Sequence, residues 1–81
     1  MNIELKMFMK FKKYLPPDSV DGKAVMSLEE GSTLEDLMNI LGIAGDEPKI
    51  VVINGISHGV ADSQILKEGD VVSFFAPVGG G

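Results

Sequence analysis

The chain stops at Ala76-Pro77-Val78-Gly79-Gly80-Gly81, where an apolar run gives way to three glycines and a carboxylate. Glycine has no Cβ, so such an end can take almost any backbone conformation and thread a channel too narrow for a larger residue. Extended at roughly 3.3 Å per residue, six residues reach about 20 Å. That length carries the Gly81 carboxylate into a second protein's active site while the folded body docks outside. Terminal glycines fit a frayed end equally well, so the remainder of the chain must separate a chemical handle from an idle one.

Other reactive groups are scarce. Cysteine is absent, which removes disulfides, thiolate metal sites and cysteine nucleophiles. The single histidine, His58, stands among Ser57, Gly59 and Asp62 in what reads as a loop. One imidazole without a fixed partner makes neither a metal site nor a catalytic unit. No Walker-type phosphate loop is present, and no helix follows Gly79-Gly80-Gly81 to complete a phosphate cradle. The neighbouring carboxylates Glu29-Glu30, Glu35-Asp36 and Asp46-Glu47 fall at a turn, a helix start and a loop, the usual places of solvated charges and helix-dipole partners. The sequence therefore reads as a non-enzyme with no bound metal or cofactor. What remains is the terminal carboxylate, a poor electrophile until its charge is masked. Transfer of AMP to it by another protein gives a mixed anhydride open to sulfide or to an amine. Sulfide yields a thiocarboxylate, a sulfur nucleophile that needs no cysteine.

A folded body has to present that end. Ile3, Leu5, Met7 and Met9 alternate with Glu4, Lys6 and Phe8, the pattern of a half-buried strand over 3–9. Tyr14 to Gly22 carries the Pro, Asp and Gly punctuation of a loop, with Lys10, Lys12 and Lys13 at a solvated strand end, and a second strand follows at about Ala24 to Glu29. Ser32-Thr33-Leu34-Glu35 matches a capping box. Leu34, Leu37, Met38 and Leu41 then form one apolar helical stripe, which Gly42 ends in a left-handed turn. Lys49-Ile50-Val51-Val52-Ile53 is an interior strand stopped by the tight turn Asn54-Gly55, where asparagine serves backbone geometry rather than chemistry. Residues 56–68 read as a connection with a short helical turn, and Val71 to Phe75 as the last strand. One helix across one face of a small mixed sheet, an α+β domain over 1–75 with a flexible tail over 76–81, is the predicted architecture.

At 81 residues the chain makes one small core, burying roughly 60–65% of its unfolded surface, with little room for an enclosed pocket. Hydrophobic residues at 44% and charged ones at 23% are those of a globular domain rather than a disordered one. No apolar stretch is long enough for a membrane span and the polar start resembles no signal peptide, so a cytoplasmic location is expected. The net charge is −5 and every basic residue is lysine. Residues 1–23 hold five lysines and three acids, against two and nine over 24–81. Nucleic-acid binding is disfavoured by this balance, whereas the acidic part suits a basic protein partner or simply solubility. The isolated chain is expected to be a monomer.

The run Lys49-Ile50-Val51-Val52-Ile53-Asn54-Gly55, followed by Leu66-Lys67-Glu68-Gly69-Asp70-Val71-Val72-Ser73-Phe74-Phe75-Ala76-Pro77-Val78-Gly79-Gly80, resembles the MoaD/ThiS family of ubiquitin-like sulfur carriers. The strand ending in Asn-Gly, the Gly-Asp turn, the paired phenylalanines and the Pro-Val-x-Gly-Gly end are its recurring pattern. The resemblance implies a β-grasp fold. It further implies a ubiquitin-activating-like adenylyltransferase that uses Mg-ATP on the final glycine, and a downstream acceptor. That acceptor is the large subunit of molybdopterin synthase or, in the thiamine branch, a thiazole synthase. Mapped onto this chain, Gly81 is the reactive residue, Gly79 and Gly80 thread, and Phe74, Phe75, Pro77 and Val78 are candidates for docking. Alternation sends one of Phe74 and Phe75 into the core and leaves the other for the surface. Two departures stand out. Ala76 replaces a proline frequent in the molybdopterin branch, and a third glycine makes Gly80 the reactive end if Gly81 is trimmed. A ubiquitin-like modifier, attacked by a target lysine in place of sulfide, would use the same activated end.

Overall fold

A computed structural model describes residues 1–58 and 64–77. Strand β1, Asn2–Met7, buries Ile3, Leu5 and Met7 to at most 1% exposure, as the alternation requires. The strand stops short of the expected Met9. Met9 takes a left-handed φ of 57° and opens a 3-10 helix, Met9–Tyr14, so Lys10, Lys12 and Lys13 lie on that helix and not at a strand end. The turn lets Phe11 fill the core at 0% exposure while Met9 stays 61% exposed. Burying a phenylalanine, at about 1.5–3 kcal/mol, outweighs a left-handed residue at about 1–2 kcal/mol. A two-residue turn, Asp21-Gly22, with both φ values positive, then leads into β2, Lys23–Ser27.

Helix α1, Leu34–Leu41, buries Leu34, Leu37 and Met38 and ends at Gly42 with φ 81°. Its capping box sits one residue later than the sequence reading placed it. Thr33 is the cap, its Oγ1 accepting from the Asp36 N–H, while Asp36 accepts from the Thr33 N–H. Ser32 instead donates to the Glu29 carbonyl at 2.7 Å. Strand β3, Ile50–Ile53, turns at Asn54-Gly55 into β4, Ile56–His58, so the stretch expected to be a connection begins as a strand and His58 ends that strand. Strand β5 is Val71–Phe75.

The described residues form a five-stranded sheet in the order β2-β1-β5-β3-β4. The central pair β1 and β5 is parallel, and the other pairs are antiparallel. The parallel pair follows from the intervening helix, which crosses one sheet face and seals Leu34, Leu37 and Met38 against Ile3, Leu5, Val51, Ile53, Val72 and Phe74. This is the β-grasp arrangement. Because β5 is central, Phe74 and Phe75 sit at the C-terminal edge of the sheet between two neighbours, and the tail starts there. The opposite end of β5 is pinned by side chains: Asn54 Nδ2 donates to Asp70 Oδ1, and Asn54 Oδ1 accepts from the Val71 N–H, both at 2.9 Å. Among the described residues no helix is long and apolar enough to cross a membrane.

Candidate functional site at the root of the tail

The register decides what each phenylalanine does. Phe74 pairs with Met7 on the helix side of the sheet and has no exposed surface. It therefore cannot be a docking residue, and its assignment to a partner surface is corrected to the core. Phe75 points to the uncovered face and is half-buried. Two neighbours hold it. On the β1 side the Phe8 ring lies parallel to it, centroids 4.5 Å apart and planes within 4°, and on the β3 side Ile50 is its cross-strand partner. Phe8 and Ile50 remain 38% and 39% exposed, so the three make an apolar patch directly before the tail. Pro77, half-buried, follows two residues after Phe75 in the chain.

Phe8 escaped the sequence reading, which placed it on the polar side of β1 beside Glu4 and Lys6. That misfit was the available signal: a large aromatic ring on the face meant for solvent. Its position is fixed by its own N–H, which donates to the Phe74 carbonyl at 3.1 Å and extends the β1–β5 ladder one residue beyond Met7. The 3-10 helix then folds over this corner. Phe11 contacts Phe74 at 6.1 Å and Tyr14 at 5.9 Å between ring centroids, and Tyr14 donates to Glu47 Oε1 at 2.7 Å. That hydrogen bond lowers the Glu47 pKa, opposed by burial and helped by the Lys10 ammonium 3.5 Å away. The same bond, with burial and the Glu47 charge, raises the Tyr14 hydroxyl. A rigid, partly basic collar with Lys10, Lys12 and Lys13 thus stands beside the tail's origin. This corner carries lysines although the whole chain is acidic.

Val78, Gly79, Gly80 and Gly81, the remaining docking, threading and reactive positions, lie outside the described residues. Within the described part, the site is an anchored apolar patch at the end of a central strand, a surface on which another protein can seat and from which a short segment can be led into a cleft. Among the described residues no cluster of three or more metal-ligating side chains occurs.

The model of the ThiS family matches residues 17–81. No curated protein matches the chain by sequence. Solved structures do resemble it. SAMP1 from Haloferax volcanii is 20% identical with a TM-score of 0.71, all of each chain being covered. The complex of subunits 1 and 2 of the molybdopterin-converting factor from Helicobacter pylori contains a chain 22% identical, TM-score 0.68, again with full coverage of both. The thiamine biosynthesis protein ThiS from Geobacter metallireducens is 28% identical with a TM-score of 0.57, covering 96% of this chain and 99% of its own. The fold is thereby that of the ubiquitin-like β-grasp proteins.

Proposed function

Because the chain belongs to the ThiS family of ubiquitin-like sulfur carriers, we propose that its C-terminal glycine is adenylated by a ubiquitin-activating-like enzyme and converted to a thiocarboxylate that donates sulfur in molybdopterin biosynthesis. The Gly81 carboxylate, or Gly80 after trimming, attacks the α-phosphate of Mg-ATP held by the partner, and pyrophosphate leaves. Sulfide adds to the carbonyl of the resulting anhydride, AMP departs, and one carboxylate oxygen has been replaced by sulfur. This chain supplies no acid or base to either step. It supplies a docking surface, Phe75 with Phe8, Ile50, Pro77 and Val78, and a glycine thread, Gly79-Gly80, that the partner's cleft can close around.

The observation that carries the reading is Phe75, an aromatic side chain held at the tail's origin by Phe8 and Ile50 yet left open on the uncovered sheet face. Exposed aromatics anchored in this way are the residues on which interfaces concentrate their energy. Three features support the molybdopterin branch: the paired phenylalanines, the Pro-Val before the glycines, and the long segment between β1 and β2. The full-length likeness to the Helicobacter pylori subunit adds to them. The thiazole branch draws support from the higher identity to the Geobacter ThiS protein. The test is to load the chain with sulfur and offer it to each acceptor separately. Sulfur leaving to a molybdopterin synthase large subunit but not to a thiazole synthase supports the proposal; the reverse moves the chain to the thiamine branch. A chain lacking Gly80 and Gly81 should keep its fold and accept no sulfur.

A further inference from the structure

Asn54-Gly55 is the dipeptide in which asparagine loses its amide most readily, because no side chain shields the glycine nitrogen from the asparagine Cγ. The chain's other asparagines, Asn2 and Asn39, each precede isoleucine, which hinders the same attack. In this fold the Asn54 side chain is engaged at both ends. Its Nδ2 donates to Asp70 Oδ1 and its Oδ1 accepts from the Val71 N–H, each at 2.9 Å. The backbone doubles the link, since the Asn54 N–H donates to the Val71 carbonyl at 2.9 Å. Asp70 is held in turn, its Oδ2 accepting from the Lys67 N–H at 2.8 Å. We propose that Asn54 is a latent deamidation site, kept in its amide form by the Asp70–Val71 clasp, and that loss of the amide turns the clasp into a repulsion that loosens the β3–β5 seam.

The chemistry needs only water. The Gly55 nitrogen gives up its proton and bonds to Asn54 Cγ; the Cγ–Nδ2 bond breaks and ammonia leaves, giving a five-membered succinimide. Water opens this ring at one of its two carbonyls to aspartate or isoaspartate, so one water enters and one ammonia departs with no change of oxidation state. Ring closure brings Cγ onto the Gly55 nitrogen, makes it tetrahedral and expels Nδ2, so the side chain must leave the rotamer that Asp70 and Val71 hold at its two ends. The clasp thus stabilises the reactant more than the transition state. The aspartate product sets a new carboxylate against Asp70 at hydrogen-bond range, where like charges disfavour each other. Isoaspartate also adds a backbone atom to a two-residue turn that fixes the Ile53–Ile56 pair, and hairpin register depends on turn length.

The purified chain is incubated at mildly alkaline pH, folded and in denaturant, beside the Asp70→Ala variant. Peptide-level mass spectrometry follows the amide-to-acid gain and isoaspartate at residue 54. With two hydrogen bonds to break, folded wild-type protein should react more than roughly tenfold more slowly than the denatured chain, and roughly tenfold more slowly than Asp70→Ala, which keeps the Val71 bond and loses the one to a charged acceptor. Equal rates in folded and denatured wild type overturn protection by the fold, and that comparison stands even if Asp70→Ala does not fold. Equal rates in folded wild type and folded Asp70→Ala overturn protection by the clasp. For the product, Asn54→Asp should melt below wild type at neutral pH, and the swap Asn54→Asp with Asp70→Asn should recover most of the loss by restoring one amide facing one acid. A swap that melts no higher than Asn54→Asp refutes the repulsion.

Discussion

Adjacent phenylalanines with opposite duties give the sharpest test of the register. Phe74 is fully enclosed among Phe11, Met7, Val51 and the helix stripe. Truncating it to alanine removes a buried ring and leaves a cavity, at a cost of about 3–5 kcal/mol. For a domain of this size each kcal/mol lowers Tm by about 4–8 °C, so a fall of roughly 12–40 °C is expected. Phe75→Ala loses only the stack on Phe8 and part of its burial, together about 1–3 kcal/mol. The order reverses in partner-dependent sulfur loading, measured well below either Tm so that both variants are folded. Phe75→Ala should lower loading by roughly 30-fold or more if the ring is a hot spot worth about 2 kcal/mol, while folded Phe74→Ala should load nearly as wild type. Thermal melts followed by circular dichroism, paired with loading rates, decide the matter. Equal destabilisation by the two substitutions, or normal loading by Phe75→Ala, would refute the assignment of faces.

Other expectations follow from single contacts. Phe8→Ala should mimic Phe75→Ala, and the double variant should fall short of the sum of the two by about 0.5–1.5 kcal/mol, the coupling of a stacked aromatic pair. Thr33→Ala should cost about 1 kcal/mol in denaturant unfolding, whereas Ser32→Ala, outside the cap, should sit near neutral. Tyr14→Phe should remove a contribution to stability that is itself pH-dependent, with its sign fixed by both partners. The lowered Glu47 pKa makes its contribution present above the ordinary 4.5 and lost as pH falls through the folded value. The raised Tyr14 pKa makes its contribution present below 10.0 and lost as pH rises through the folded value. The stability gap between wild type and Tyr14→Phe should therefore be open at neutral pH and close toward both extremes; a gap independent of pH would contradict the bond.

Much of this was legible because local signals agreed with one another. The stripe Leu34, Leu37, Met38 and Leu41 with Gly42 behind it specified α1, and the β-branched run before Asn54-Gly55 specified β3. What stayed hidden depended on contacts distant in sequence. Met9 continues the alternation of β1 perfectly, and nothing local says that Phe11 is the better core residue. The cap shifted from Ser32 to Thr33 because both pairs, Ser32 with Glu35 and Thr33 with Asp36, satisfy the same spacing. Strand β4 has only three residues, Ile56–His58, too few for a period to show. At the site, alternation foretold that one phenylalanine would be buried, but choosing Phe74 required the pairing with Met7. Phe8 and the side-chain work of Asn54 needed the partners Phe75 and Asp70, each more than a dozen residues away.

The central claim is that the chain's end is a sulfur carrier, and intact mass spectrometry tests it most directly. The protein is incubated with extract from its source cells, Mg-ATP and a sulfur donor, then treated with a thiol-alkylating trap. The proposal predicts a mass shift for one oxygen replaced by sulfur, localised by fragmentation to Gly81 or Gly80 and absent from a chain lacking both. An unmodified mass, in an extract that loads a known carrier, would contradict it.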